Sequence, residues 1–157
     1  MLKNARRERI VSVALAAVAT VSAIGLCLPC SSNTFLLGKA REETWQYKFA
    51  AIIERSDEKT LVNYGALDLG LYTETGIVPD ERFFCHLNIE LDEMEQSLDQ
   101  AVSERRAKFV VFRGGASINS VPKLITQNYT LVARETSHLE FEGSTATYYL
   151  FERKQSK

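Results

Sequence analysis

The sequence predicts an α/β protein: a single N-terminal transmembrane helix, then a three-layer α/β sandwich with a mostly parallel sheet and a C-terminal antiparallel hairpin. Three observations predict it. Residues 10–30 carry no charged side chain. Beyond them, helical three-and-four spacing of apolar residues alternates with short β-rich runs, the pattern of a sheet covered by helices. Two β-rich runs near the C-terminus meet at Glu142-Gly143-Ser144, a hairpin signal. The expected boundaries are a cytoplasmic basic segment at 1–9, a transmembrane helix at 10–30, a linker at 31–39 and an extracytoplasmic α/β domain at 40–157.

At about 1.5 Å per residue, the uncharged stretch is roughly 30 Å long as a helix, the thickness of a bilayer core. Lys3, Arg6, Arg7 and Arg9 precede it against the single acid Glu8. The positive-inside rule then places the N-terminus in the cytoplasm and the rest outside. A cleaved signal peptide is the rival reading, but the apolar run is longer than the usual 7 to 15 residues or so and ends without a good small-residue site. Cys27 and Cys30 form C-L-P-C at its outer end, where no strand-to-helix junction exists to make them a redox pair. They read as small apolar residues at a membrane edge.

Each element of the domain follows from its own pattern. Residues 38–55 read as a helix with Trp45, Phe49, Ile52 and Ile53 on one face. Residues 60–64 form a short strand stopped by Gly65, and a short helix and loop follow up to Pro79. Residues 82–87 read as a second strand. Residues 90–106 form a helix lined by Leu91, Met94, Leu98, Ala101 and Val102, acidic at its start and basic at its end, as the helix dipole favours. Residues 108–112, K-F-V-V-F, read as a strand covered on both faces, ended by Gly114 and Gly115. A short helix near 120–126 and strands at 129–141 and 145–153 complete the domain.

Composition limits the function. The chain has 157 residues, 45% hydrophobic and 25% charged, which suits one globular domain. A net charge of -1 speaks against nucleic acid as a partner, because phosphate neutralisation needs a basic excess. Three cysteines and two histidines speak against a disulfide scaffold and a metal site. No residue is assigned a catalytic role, and no cofactor is expected in this chain. In open α/β sheets ligands collect beyond the carboxyl ends of the strands. The ligand-binding candidates are therefore Asn63 and Tyr64 at the end of the first strand, with Asp68, Tyr72 and Glu74 in the turn that follows.

From residue 61 the chain reads L-V-N-Y-G-A-L-D-L-G-L-Y-T-E-T-G-I-V-P, with Phe83-Phe84-Cys85, Leu87-Asn88-Ile89, Phe109-Val110-Val111 and Thr147-Tyr148-Tyr149-Leu150 further on. In this order the pieces resemble the C-terminal extracytoplasmic region of bacterial multi-pass glycosyltransferases of the GT-C type. That group includes relatives of the dolichyl-phosphate-mannose protein mannosyltransferases. The likeness covers most of residues 40–153. It implies an accessory domain in sugar transfer from a polyprenyl-phosphate donor, with the catalytic acids in an early loop among many membrane helices. This chain has one such helix and no such loop, so the resemblance implies a fragment or split-gene product, inactive alone. Its implied partners are the lipid bilayer, a multi-pass glycosyltransferase, and a lipid-linked sugar or acceptor. The other reading is an independent membrane-anchored binding or interaction domain with no catalytic role.

Overall fold

The computed structural model describes residues 2–30, 38–64, 70–84, 91–139 and 144–155. The chain divides into two units, Met1–Lys39 and Ala40–Lys157. The first holds one long helix, α1 (Leu2–Cys30). Its segment Arg7–Cys30 is long and apolar enough to cross a membrane, with a mean hydropathy of 2.3 in its most apolar window. The large apolar side chains from Ile10 to Leu28 are exposed. Thr20 donates its hydroxyl to the Ala16 carbonyl at 2.9 Å, so this polar group is satisfied within the helix. Cys27 and Cys30 are both exposed, unbridged thiols on α1.

The second unit contains α2 (Trp45–Ile53), β1 (Leu61–Tyr64), α3 (Leu71–Thr75), α4 (Asp92–Ser103), β2 (Phe109–Gly114), α5 (Lys123–Asn128), β3 (Tyr129–Leu139) and β4 (Ser144–Arg153). Two 3-10 turns, Arg41–Glu43 and Ile118–Ser120, precede α2 and α5. The strands form one four-stranded sheet in the order β1-β2-β4-β3. β1 runs parallel to β2, with Val62 opposite Val110. β2 and β4 are antiparallel, with Val110 opposite Phe151. β3 and β4 form the expected antiparallel pair, with a bulge between Leu131 and Ala133; the turn at 140–143 lies outside the described residues.

Alternation along each strand sends neighbouring side chains to opposite faces. On one face Trp45, Phe49 and Ile53 of α2 and Leu71 and Tyr72 of α3 pack against Leu61, Phe109, Val111, Tyr148 and Leu150. Trp45 stacks on Tyr148, with ring centroids 4.0 Å apart. On the other face Met94, Leu98, Ala101 and Val102 of α4 and Ile125 of α5 cover Val62, Val110, Tyr149 and Phe151. Val110 is fully buried in the interior strand β2, as its uninterrupted apolar pattern predicts.

Several expectations need correction. The protein is α/β, but its sheet is mixed rather than mostly parallel, and the full three-layer sandwich is not formed. Each face carries one regular helix and one short helix of five or six residues. The outer strand β3 stays largely exposed, Leu131 and Val132 included. The second strand expected at 82–87 is absent over Arg82, Phe83 and Phe84; the remainder, with Cys85 and His86, lies outside the described residues. The edge of β1 that such a strand would occupy is closed instead by the Tyr72 hydroxyl. The first helix of the domain is shorter than expected, because Thr44 is extended (ψ 147°) and α2 begins only at Trp45. Leu91 precedes α4 and is exposed, so it does not join the apolar face.

α4 ends on an unusual residue. Arg105 has φ 57°, a left-handed conformation that glycine usually supplies at a helix end. The Arg106 N–H reaches back to the Ala101 carbonyl at 3.0 Å, closing the helix. Arg105 is pinned from both sides: its guanidinium donates to the Lys154 carbonyl, and its own carbonyl accepts from Arg153 Nη1 at 3.1 Å.

Candidate functional site at the carboxyl ends of β1 and β2

The parallel strands β1 and β2 end side by side at Tyr64 and Phe112. α3, which follows β1, packs on the α2 face, whereas α5, which follows β2, packs on the α4 face. Divergence of this kind opens a crevice at the carboxyl end of a parallel pair, the place where such sheets take ligands.

The sequence-predicted residues divide between the two faces. Asn63 is buried on the α2 face, in line with Leu61, and its N–H donates to the Tyr72 hydroxyl at 3.2 Å. That hydroxyl donates in turn to the Leu61 carbonyl at 3.1 Å. Tyr72 therefore completes the backbone pairing of β1. Glu74 lies further along α3 and accepts from the Arg41 guanidinium at 3.0 Å, an ion pair that ties the 3-10 turn to α3. The same guanidinium lies 4.3 Å from the centre of the Tyr47 ring. Asp68 lies outside the described residues.

Tyr64 points the other way, toward α4. Its hydroxyl donates to Asp99 Oδ1 at 2.6 Å. Burial, and then the hydrogen bond and negative charge of Asp99, push the Tyr64 phenol well above its ordinary value. Tyr64 therefore stays a neutral donor across the biological pH range. Asp99, half-buried, keeps acceptor capacity for a further donor.

Strand register extends this contact into a row that sequence spacing does not reveal. Tyr64 lies opposite Phe112, Phe112 opposite Tyr149, and Tyr149 opposite Arg134. The Tyr64 and Phe112 ring centres are 6.3 Å apart, and those of Phe112 and Tyr149 are 6.4 Å apart. Arg134 lies 5.7 Å from the centre of the Tyr149 ring and donates to the Ala116 carbonyl at 2.5 Å. Tyr149 donates its hydroxyl to the Gly115 carbonyl at 2.7 Å. The row thus runs from a carboxylate, across three aromatic rings, to a guanidinium, with Tyr64 and Phe112 half-exposed. Such a row offers hydrogen bonding and stacking.

The segment after β2 is shaped by Gly114. A Cβ there would fall 2.5 Å from the Phe112 ring and 2.7 Å from Ser120 Oγ. Arg113-Gly114-Gly115 therefore acts as a close-packed strand end. Among the described residues, no three or more His, Cys, Asp or Glu side chains are grouped to hold a metal. His138 is placed in β3, opposite Thr145 of β4. Comparison with known protein families, curated proteins and solved structures finds no match to this chain.

Proposed function

We propose that this chain is a membrane-anchored extracytoplasmic domain accessory to a GT-C-type glycosyltransferase. In this reading α1 spans the bilayer with its basic end in the cytoplasm. The folded unit lies outside, where it contributes acceptor contact or stability to transfer from a polyprenyl-phosphate sugar. The catalytic acids belong to a multi-pass partner.

One observation supports the reading: the described pieces of the resemblance lie in or directly after strands that neighbour one another in a single sheet. Asn63-Tyr64 ends β1. Gly70 and Gly76 bracket α3 with left-handed φ of 74° and 65°, conformations in which a side chain is strained. Tyr72 between them closes the edge of β1. Phe109-Val110-Val111 lies in β2, and Thr147 to Leu150 lies beside it in β4. These pieces lie on or beside β1, β2 and β4, three adjacent strands of the four, which supports their reading as one inherited unit.

The test uses the full chain in detergent with a polyprenyl-phosphate sugar, candidate acceptors and Mg²⁺ or Mn²⁺. No transfer is expected from the chain alone. Co-expression should yield a stable complex with a multi-pass membrane protein, and transfer should appear with that partner. Transfer by the chain alone would overturn the accessory role. A chain that retains no multi-pass protein is instead an independent binding domain. Protease added to intact cells should degrade residues 40–157; protection until permeabilisation would reverse the orientation.

A further inference from the structure

The stretch Ile77 to Glu81 faces Thr60 to Val62 of the β1 edge across a narrow cleft of about 40 Å³, room for a water or two. Beside it lies a wider, shallow depression of about 330 Å³, lined by Tyr72, Pro79, Glu81 and Phe84. That volume is at the lower end of small-molecule sites and admits one ring rather than a chain. Phe84 is 43% exposed and meets Tyr72 edge-on, with ring centres 6.4 Å apart. With Pro79 it makes an apolar floor.

The wall is polar. The Glu81 side chain is only 12% exposed, and its two oxygens lie 3.3 and 3.2 Å from Arg106 Nη1. Arg106 is itself held by Glu104 at 2.7 Å. The carboxylate is thus fixed in place and keeps lone pairs for further donors.

This combination discriminates between ligand chemistries. A wholly apolar ligand would bury Glu81 against groups that cannot hydrogen-bond, which is unfavourable. A cation would meet a carboxylate already engaged in an ion pair with Arg106 of the adjoining cleft. A neutral ring with one C–H face and hydroxyls at its rim meets both surfaces without either conflict. We propose that this depression is a subsite for a single neutral pyranose, its C–H face on Phe84 and Pro79 and its hydroxyls donating to Glu81. The site's chemistry stands on these residues; only the origin of the sugar rests on the glycosyltransferase reading.

The experiment is saturation-transfer NMR on the full chain in a detergent without a sugar headgroup. The probes are methyl α-mannopyranoside, methyl α-glucopyranoside and methyl α-galactopyranoside, with cyclohexanol and tetramethylammonium as competitors. Transfer to at least one glycoside is expected. It should fall about fivefold or more in Phe84→Ala and in Glu81→Gln, each with an unchanged circular dichroism spectrum, and Phe84→Tyr should retain it. The proposal is overturned if no glycoside receives transfer, if Phe84→Ala retains the signal, or if cyclohexanol or tetramethylammonium displaces the glycoside at equal concentration. Because no sugar is transferred, failure here leaves a partner complex and its activity untouched. Loss of partner-dependent transfer likewise leaves glycoside binding in place.

Discussion

The Tyr72 hydroxyl accepts the Asn63 N–H at 3.2 Å and donates to the Leu61 carbonyl at 3.1 Å, so one phenol stands in for the missing neighbour of an edge strand. Edge strands left unpaired are templates for aggregation. Tyr72→Phe removes both bonds while keeping the ring in its core. We expect a loss of about 1–3 kcal/mol, the cost of stranding buried backbone groups. Hydrogen exchange at the Asn63 amide should accelerate. An unchanged melting temperature and unchanged exchange would show that the hydroxyl does not hold the edge.

Val110 is fully buried in the interior strand β2. Val110→Asp places a carboxylate among apolar neighbours and should cost several kcal/mol of the roughly 5–15 available to such a domain. Thermal melts of the full chain in detergent should show the folded unit lost or sharply destabilised. Retention of the original melting temperature would contradict the central position of β2.

Two adjacent glycines should behave differently. Gly114→Ala drives a methyl group into the Phe112 ring and Ser120 Oγ, whereas a Cβ at Gly115 lies no nearer than 3.8 Å to Ser120. Overpacking of this kind typically costs about 1–3 kcal/mol. Gly114→Ala should lower the melting temperature and Gly115→Ala should not, with Ser120→Ala partly rescuing the first. Equal effects at both positions would remove the steric account.

Glu58 ties the segment before β1 to the end of β4 by accepting from Thr60 Oγ1 at 2.9 Å and from the Arg153 guanidinium. Burial raises its carboxyl, but the Thr60 and Arg153 hydrogen bonds outweigh this and hold it below its ordinary value. A depressed carboxylate stabilises the fold above its unfolded value, near 4.3, and loses that contribution as pH falls through the folded value. The melting-temperature gap between the wild type and Glu58→Gln should therefore be present at pH 7 and close in acid, below about pH 4. A gap that does not change with pH would assign the difference to packing instead.

The legible parts of the fold were those written in local periodicity. Phe49 and Ile53, and Met94, Leu98 and Val102, face the sheet as their three-and-four spacing requires. The apolar run of β2 marks a strand covered on both faces, and β3 and β4 pair antiparallel as their hairpin signal predicts. That the sheet is not mostly parallel was not legible, because the F-F-C-H run has strand composition but nothing local shows that Tyr72 already occupies the neighbouring edge. The candidate cluster fared similarly. Period-two alternation alone separates Asn63 from Tyr64. The pairing of Tyr64 with Asp99, and the row through Phe112, Tyr149 and Arg134, depend on a register that no short window of sequence contains.

The strand order β1-β2-β4-β3 also governs how the domain is made. β4, late in the chain, is interior, and β2 meets it only after the whole β3–β4 pair has been synthesised. Among the described residues β1 pairs with β2 alone, and everything between Tyr64 and Phe109 must be looped out to bring them together. Local hairpin closure is fast, whereas closing a long parallel crossover is slow and leaves apolar edges exposed meanwhile. The β3–β4 pairing thus closes the shortest stretch of chain in the sheet, and the β1–β2 pairing a much longer one. A chain interrupted within β4 would strand β2 and β3 together, so stability in this sheet is acquired nearly all at once.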